Sequence, residues 1–178
     1  MPGIEISSPP WQVREWFNTD SPLSLAGLRG RVVVLHAFQM LCPGCVLHGL
    51  PQTQRIRETF PPDEVAVIGL HTVFEHHEAM GPEALRAFIH EFRWSFPIGI
   101  DTPSADGPVP QTMAAYRMQG TPSLLLFDCA GRLRRQRFGQ LADMGVGAEI
   151  MALVAESRTG SARAQEAPAT AAGCRPPG

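Results

Sequence analysis

The strongest constraint on the fold is an almost uninterrupted apolar run, RVVVLHAF, at residues 31–38. Only His36 breaks it, so the run predicts a strand that is covered on both faces. A second run, EVAVIGL at 64–70, has the same character. The segment between them, from Pro43 to about Thr59, fits a helix that Pro51 should kink. Two buried strands joined by a helix are expected to run parallel.

The remaining segments complete a mixed α/β order. The patterns predict strands at Trp11–Phe17 and Phe96–Ile100, helices at Gly81–Phe92, Gln111–Met118 and Leu141–Ser157, and a hairpin made of Ser123–Asp128 and Leu133–Gly139. The sequence therefore predicts an α/β fold with a mixed central sheet and helices on both faces. One domain is expected over residues 1–158. Residues 159–178 are rich in Ala, Pro and Gly, and a disordered C-terminal tail is expected there.

Composition excludes several classes of function. The net charge is −2 over 178 residues, which gives no electrostatic reason to expect nucleic acid or an anionic membrane as a partner. No run approaches the roughly 18 apolar residues of a membrane span. The first residues, MPGIEISSPP, lack the basic and apolar regions of a secretory signal, so a cytoplasmic location is expected. In a reducing compartment, two close cysteines are more often catalytic or metal-binding than structural.

Such a pair occurs in CPGC, at residues 42–45, where the first buried strand gives way to the helix. The first helical turn has unpaired N–H groups and the positive end of the dipole, which stabilise a thiolate. Cys42, the outermost, is therefore expected to be the attacking sulfur. Cys45, one turn further in, is placed to resolve a mixed disulfide. The alternative is that both are small buried residues without a chemical role.

A second motif, Gly120–Ser123, directly precedes the strand LLLF. Its Thr121–Pro122 bond is a candidate for a cis peptide. A cis proline would turn the backbone of Thr121 outward, where it could pair with a bound disulfide substrate. The alternative is a simple turn with a trans bond.

These features together resemble the thioredoxin-like superfamily. The resemblance is carried by RVVVLHAF, CPGC, GTPS and the hairpin LLLFDCAGRLRRQRFG. The opening WFNTDSPLSLAGLRGRVVVL and the segment VIGLHTVFEHHEAM resemble, more closely, redoxin-type thiol-disulfide oxidoreductases that carry an insert after the second core strand. The similarity spans about residues 11–157. It implies a thioredoxin-like fold with an α/β insert.

The resemblance also implies an activity, thiol-disulfide exchange without an organic cofactor or a metal. It makes Cys42 the nucleophile and Cys45 the resolving thiol. The partners implied are a disulfide-containing protein substrate and a thiol reductant system; the oligomeric state is not indicated. The residues implied in substrate binding are Pro43, Gly44, Thr121 and Pro122. Thioredoxins carry Trp where this chain has Leu41, and Gly-Pro where it has Pro-Gly, so the redox potential does not carry over.

His36 stands where thioredoxins carry a buried acidic residue that moves a proton to or from the inner thiol. A histidine there could be the base for Cys45, with a pKa closer to neutrality. The alternative is a core histidine whose ring is satisfied by a backbone partner.

Three other functions are alternatives to thiol-disulfide exchange. Peroxiredoxin-like reduction of peroxide by Cys42 is favoured by the Cys42-Pro43 pair. It is disfavoured at two positions. Peroxiredoxins carry Thr or Ser where this chain has Gln39, and Pro where this chain has Leu35. A metal site could draw on the histidines of HTVFEHH, but the adjacent His76 and His77 point apart, and only one Cys-x-x-Cys is present. A non-catalytic adaptor would not need an intact CPGC.

Overall fold

The computed structural model describes residues 8–166, with side chains to residue 160. The elements follow the predicted order. Six strands are formed, namely β1 (Val13–Phe17), β2 (Val32–Phe38), β3 (Val65–His71), β4 (Ile98–Asp101), β5 (Ser123–Phe127) and β6 (Leu133–Phe138). Four α-helices are formed, namely α1 (Leu50–Thr59), α2 (Pro82–Phe92), α3 (Gln111–Ala115) and α4 (Asp143–Glu166). None of the described helices is both long enough and apolar enough to cross a membrane.

The strands form one mixed sheet in the order β1-β4-β3-β2-β5-β6. Strand β2 pairs parallel with β3, and β3 pairs parallel with β4. Strand β5 pairs antiparallel with both β2 and β6, and β1 pairs antiparallel with β4. The predicted mixed sheet is thereby confirmed. Because β5 runs against β2, the start of β5 lies beside the end of β2, and Ala37 is the partner of Ser123.

Alternation along β2 divides the core into two layers. Val32, Val34 and Phe38 face one layer, which also contains apolar residues of α1, α2 and α4. Val33 and Leu35 face the other layer, which is closed by the α3 region and by the segment before β2. All seven residues of β2 are buried, as the apolar run predicts. The sheet therefore has helices on both faces.

The helix that follows β2 begins at Pro43 and becomes π-helical at Cys45, the last residue of CPGC. Residues Cys45–Gly49 form a π-helical turn, in which the N–H of Leu50 donates to the carbonyl of Cys45. Helix α1 continues from Leu50. Pro51, where a kink is predicted, has no N–H to complete the preceding α-helical turn, and the wider π turn lies directly before it.

The predicted α/β insert consists of α2 and β4, which lie between β3 and α3. Its last residue, Asp101, is buried and holds the start of α3. The Asp101 carboxylate accepts the backbone N–H groups of Thr112 and Met113 at 2.9 and 3.0 Å, and the hydroxyl of Thr72 at 2.9 Å. The insert is thus tied both to β3 and to the helix that leads to Thr121.

Two boundaries differ from the predictions. Helix α4 continues to Glu166, so the predicted disordered tail is helical over residues 159–166. Arg158 donates to Glu64 at 2.6 and 2.8 Å, which anchors the helix where it was expected to end. Helix α3 ends at Ala115, before the predicted Met118, because Arg117 has a φ of +49°. The rest of the predicted tail, residues 167–178 with Cys174, lies outside the described residues.

Candidate active site

The candidate site forms where three segments meet: the end of β2, the first helical turn after it, and the loop before β5. Cys42 is half-buried at the start of the helix. Its sulfur accepts the backbone N–H of Cys45 at 3.3 Å, and its thiol donates to the Thr121 carbonyl at 3.5 Å. Its own carbonyl accepts the N–H groups of Cys45 and Val46 at 3.0 and 3.1 Å. The Cys42 sulfur thus caps the helix and reaches the proline loop.

Cys45 has the opposite environment, since its side chain is fully buried. Burial, followed by a hydrogen bond with the Cys42 side chain, raises the pKa of the Cys45 thiol well above its ordinary value. Hydrogen bonds from the Gln39 backbone and the Thr121 side chain oppose that shift. The two cysteines are free thiols, and the inner one holds its proton at neutral pH.

The Thr121–Pro122 peptide bond is cis, which confirms that prediction. Pro122 lies against the helix at two glycines. A Cβ atom on Gly44 would lie 3.3 Å from Cδ of Pro122, and one on Gly49 would lie 3.2 Å from its Cβ. Both glycines therefore allow the helix to approach the proline loop closely. Of the predicted substrate-binding residues, Pro43 is exposed, Gly44 and Thr121 are half-buried, and Pro122 is buried.

His36 is buried on the face of β2 that carries the helix. Its Nδ1 is hydrogen-bonded to the hydroxyl of Thr53, whereas its Nε2 has no partner among the described residues. Burial lowers the pKa of His36 to about 4, against the opposing effect of the Gly49 carbonyl. The imidazole is therefore neutral at neutral pH, with a pKa further from neutrality than the sequence suggested.

A small cavity of about 60 Å³ lies beside His36. Pro122 and Gly49 line it together with several polar residues, which include Gln52, Arg55 and Asp143. The Arg55 guanidinium donates to the Asp143 carboxylate at 2.8 Å across its mouth. Cys45 is not among the hydrogen-bond partners of His36. Cys45 is also not among the residues that line the cavity, and a proton passing between the two would need a bridging water.

Gln39 is a site residue whose role the sequence did not reveal. It is almost fully buried, and its carbonyl accepts the N–H of Cys42 at 3.2 Å. Its side-chain oxygen accepts the N–H of Phe74 at 3.1 Å, and its amide donates to Glu75 at 3.4 Å. One buried amide thus joins the motif to the loop after β3. A polar residue inside the apolar FQML was the only signal of this link.

The histidines of HTVFEHH do not converge. His71 is fully buried and lies against Phe38, with ring centroids 5.2 Å apart. Burial, then the charge of Arg14, lowers the pKa of His71 to about 4. His76 and His77 are exposed. Among the described residues there is no group of three or more His, Cys, Asp or Glu that could hold a metal ion.

Exposed apolar side chains occur close to the cysteine pair. Leu41 directly precedes Cys42 and is 57% exposed, and Leu47 lies in the π turn and is 68% exposed. Phe138 is 55% exposed at the end of β6, where its ring would lie 3.0 Å from a Cβ on Gly120. These side chains offer apolar surface next to the CPGC motif in the sequence and beside Gly120, in the loop before β5.

Comparisons with known proteins agree with this geometry. No family model matches the chain. The crystal structure of a thioredoxin-like superfamily protein is 58% identical in sequence, with a TM-score of 0.81; the match covers 83% of this chain and 96% of that one. The chain belongs to the thioredoxin-like superfamily. The predicted resemblance and fold class are therefore confirmed.

Two further similar proteins extend the comparison. A thiol-disulfide isomerase from Corynebacterium glutamicum is 48% identical, with a TM-score of 0.79 and coverage of 83% of this chain and 96% of that one. Protein DipZ of Mycobacterium tuberculosis is 28% identical over 127 residues, which are 70% of this chain. This chain spans only 17% of the length of that relative.

Proposed function

We propose that this protein is a thiol-disulfide oxidoreductase whose reacting atoms are the sulfurs of Cys42 and Cys45. The thiolate of Cys42 attacks one sulfur of a substrate disulfide. A bond forms between Cys42 and that sulfur, the substrate S–S bond breaks, and the other substrate sulfur leaves as a thiolate. The backbone of Thr121, beside the cis Pro122, supports the substrate during this step.

In the second step, Cys45 loses its proton and attacks the sulfur of Cys42. The Cys42–Cys45 disulfide forms and the second substrate thiolate leaves. Because burial keeps Cys45 protonated, this step needs a base. We assign that role to His36, which is neutral and has a free Nε2 beside the cavity. A negative charge left on Cys45 would favour the imidazolium and so act against the lowering of the His36 pKa by burial.

One observation carries the proposal: the sulfur of Cys42 is half-buried at the helix start, 3.3 Å from the N–H of Cys45 and 3.5 Å from the carbonyl of Thr121. This geometry places an accessible sulfur, a buried second thiol and a cis-proline loop together. The thiol-disulfide isomerase that is 48% identical supports the same chemistry.

Turnover of insulin disulfides, with dithiothreitol as reductant, tests the proposal. Cys42→Ser should abolish turnover by removing the nucleophile, and Cys45→Ser should accumulate a mixed disulfide that mass spectrometry detects. Cys129→Ser is the matched control, because Cys129 is a half-exposed cysteine in the β5–β6 turn, and it should keep full activity. Turnover that survives Cys42→Ser would contradict the proposal.

The same variants distinguish peroxide reduction from disulfide reduction. Fast consumption of hydrogen peroxide that survives Cys45→Ser, without insulin turnover, would favour a peroxiredoxin-like function instead. The Gln39 side chain, at the position of the peroxide-binding Thr or Ser, is hydrogen-bonded to Phe74 and Glu75 instead.

The partners in the cell follow from the same chemistry. We propose that the substrates are disulfide-containing proteins, which the apolar surface of Leu41, Leu47 and Phe138 would accommodate, and that another thiol system returns the electrons. A cytoplasmic location remains a prediction, to be checked by cell fractionation. The reduction potential of the Cys42–Cys45 pair, measured against glutathione, would give the direction of electron flow.

A further inference from the structure

We propose that Thr53 is a positioning residue for His36, which its hydroxyl holds in the tautomer that carries hydrogen on Nδ1 and leaves Nε2 bare. The inference rests on the proposed function, because a bare Nε2 matters only if His36 serves Cys45 as a base.

The hydrogen-bond directions around Thr53 lead to this assignment. Thr53 lies in α1, one turn after Gly49, and its side chain is fully buried. Its hydroxyl donates to the Gly49 carbonyl at 2.9 Å, a bond between residues i and i−4 that is common for Thr in helices. A hydroxyl has one hydrogen, so while it donates to Gly49 the Thr53 oxygen can meet His36 only as an acceptor. Nδ1 of His36 must therefore donate to it.

The consequence appears at the other ring nitrogen. A neutral imidazole carries one hydrogen, so Nε2 is left with a free lone pair. Nε2 is buried and has no partner among the described residues, and the ring borders the cavity lined by Pro122. The opposite tautomer would bury an Nε2–H without an acceptor among the described residues, and Thr53 could donate to its Nδ1 only by giving up the bond to the Gly49 carbonyl. Thr53 therefore presents to the cavity the form of His36 that can accept a proton.

Around the cavity, the oppositely charged groups near the His36 ring are paired with each other. The titratable groups that line this cavity with His36 are His48 and Arg55 from the helix and Asp143 from α4. Arg55 and Asp143 form an ion pair at 2.8 Å, and His48 is exposed. The Thr53 hydroxyl is hydrogen-bonded to Nδ1 of His36. Its removal should therefore change the tautomer directly.

The first test isolates the resolving step. In a background that carries Cys129→Ser and Cys174→Ser, so that only the two site cysteines can react, reduced protein reacts with an aromatic disulfide, dithiobis-nitrobenzoate, and releases two coloured thiolates: one when Cys42 attacks and one when Cys45 resolves. Thr53→Val removes the hydroxyl and keeps the shape; it should slow the second release about tenfold at neutral pH, the effect of one lost hydrogen bond, and leave the first unchanged. Thr53→Ser keeps the hydroxyl and should restore the rate to within about twofold. The pH profile of the second release should shift for Thr53→Val alone.

The second test reads the tautomer itself. Long-range nitrogen-15 NMR of the full chain distinguishes hydrogen on Nδ1 from hydrogen on Nε2, and His36→Gln assigns the signals. Wild type and Thr53→Ser should carry the hydrogen on Nδ1, whereas Thr53→Val should gain the Nε2 form. Hydrogen on Nε2 in the wild type would overturn the inference.

The outcomes also separate this inference from the proposed function. If His36→Gln slows the second release and Thr53→Val does not, the role of Thr53 is wrong while the proposed function stands. If Cys45→Ser, in the same background without Cys129 and Cys174, still releases both thiolates, the proposed function itself fails.

Discussion

At the scale of single residues, the site depends on a glycine, Gly49, as well as on the cysteines and the histidine that react. Gly49 separates His36 from Pro122. An added Cβ there would lie 2.6 Å from His36 Nε2, closer than real Cβ atoms approach, and 3.2 Å from Pro122 Cβ, which is a tight contact. Neither neighbour can give way easily, because both are buried. The residue at position 49 therefore sets the distance between the helix and the ring.

Gly49→Ala should lower the free energy of unfolding by about 1–3 kcal/mol, the usual cost of overpacking a core. It should also slow release of the second thiolate, because it displaces His36. Gly145→Ala is the matched control, since Gly145 is also helical but has nothing within 4 Å of an added Cβ. Alanine there should stabilise the protein by about 0.5–1 kcal/mol. Urea unfolding of both variants measures the contrast, and equal changes would contradict the packing argument.

At the scale of elements, the sequence predicted what depends on a repeating pattern and missed what depends on tertiary contact. The apolar runs located β2 and β3, and the strand-to-helix junction located the cysteine pair. The π turn was not predicted, because Pro51 indicates only a break. The bond from Thr53 to His36 and the position of Gln39 were also missed, since each joins residues whose contact is set by packing and not by spacing. The helical extension to Glu166 depends on the contact between Arg158 and Glu64.

Helix α3 provides a test at this scale. It has five residues, too few to be stable alone, and the Asp101 carboxylate holds its first turn. Asp101→Ala leaves the N–H groups of Thr112 and Met113 buried without this acceptor, and should destabilise the protein by roughly 2–4 kcal/mol. Asp106→Ala, at an exposed aspartate in the loop before α3, should change stability by less than about 0.5 kcal/mol.

The same Asp101 variant should reduce activity by more than its stability alone explains, because α3 leads into the loop of Thr121 and Pro122. Insulin turnover, measured where the variant is still fully folded by circular dichroism, checks this expectation. Unchanged turnover there would show that the loop does not depend on α3.

At the scale of the whole molecule, two buried histidines make stability depend on pH. The pKa of His36 and of His71 is about 4 in the folded protein and 6.5 as the ordinary value. Between these limits the unfolded chain binds protons that the folded protein does not, so stability falls as pH drops from about 6.5 to about 4. Above pH 6.5 the full contribution is present. Burial raises the pKa of Asp101, which partly opposes the loss.

At 1.36 kcal/mol per pH unit, each histidine should account for roughly 3 kcal/mol across that window. His71→Leu replaces one ring with a side chain of similar volume that does not titrate, so it should remove about half of the acid sensitivity. Urea unfolding of both proteins between pH 4 and pH 7 measures the slopes. If the free energy of unfolding falls with pH equally steeply in both proteins, His71 does not contribute to the acid sensitivity.

The outer edge of the sheet is formed by β6, whose sequence LRRQRF carries three arginines. Arg134 and Arg137 are ion-paired with Glu156 and Glu149 of α4, whereas Arg135 has no acidic partner among the described residues. Unpaired edge strands invite pairing with a second chain, and crowded positive charge discourages it. The protein should therefore resist aggregation through pairing of β6 with a second chain. Phe138, at the end of the same strand, then stays accessible to an incoming polypeptide.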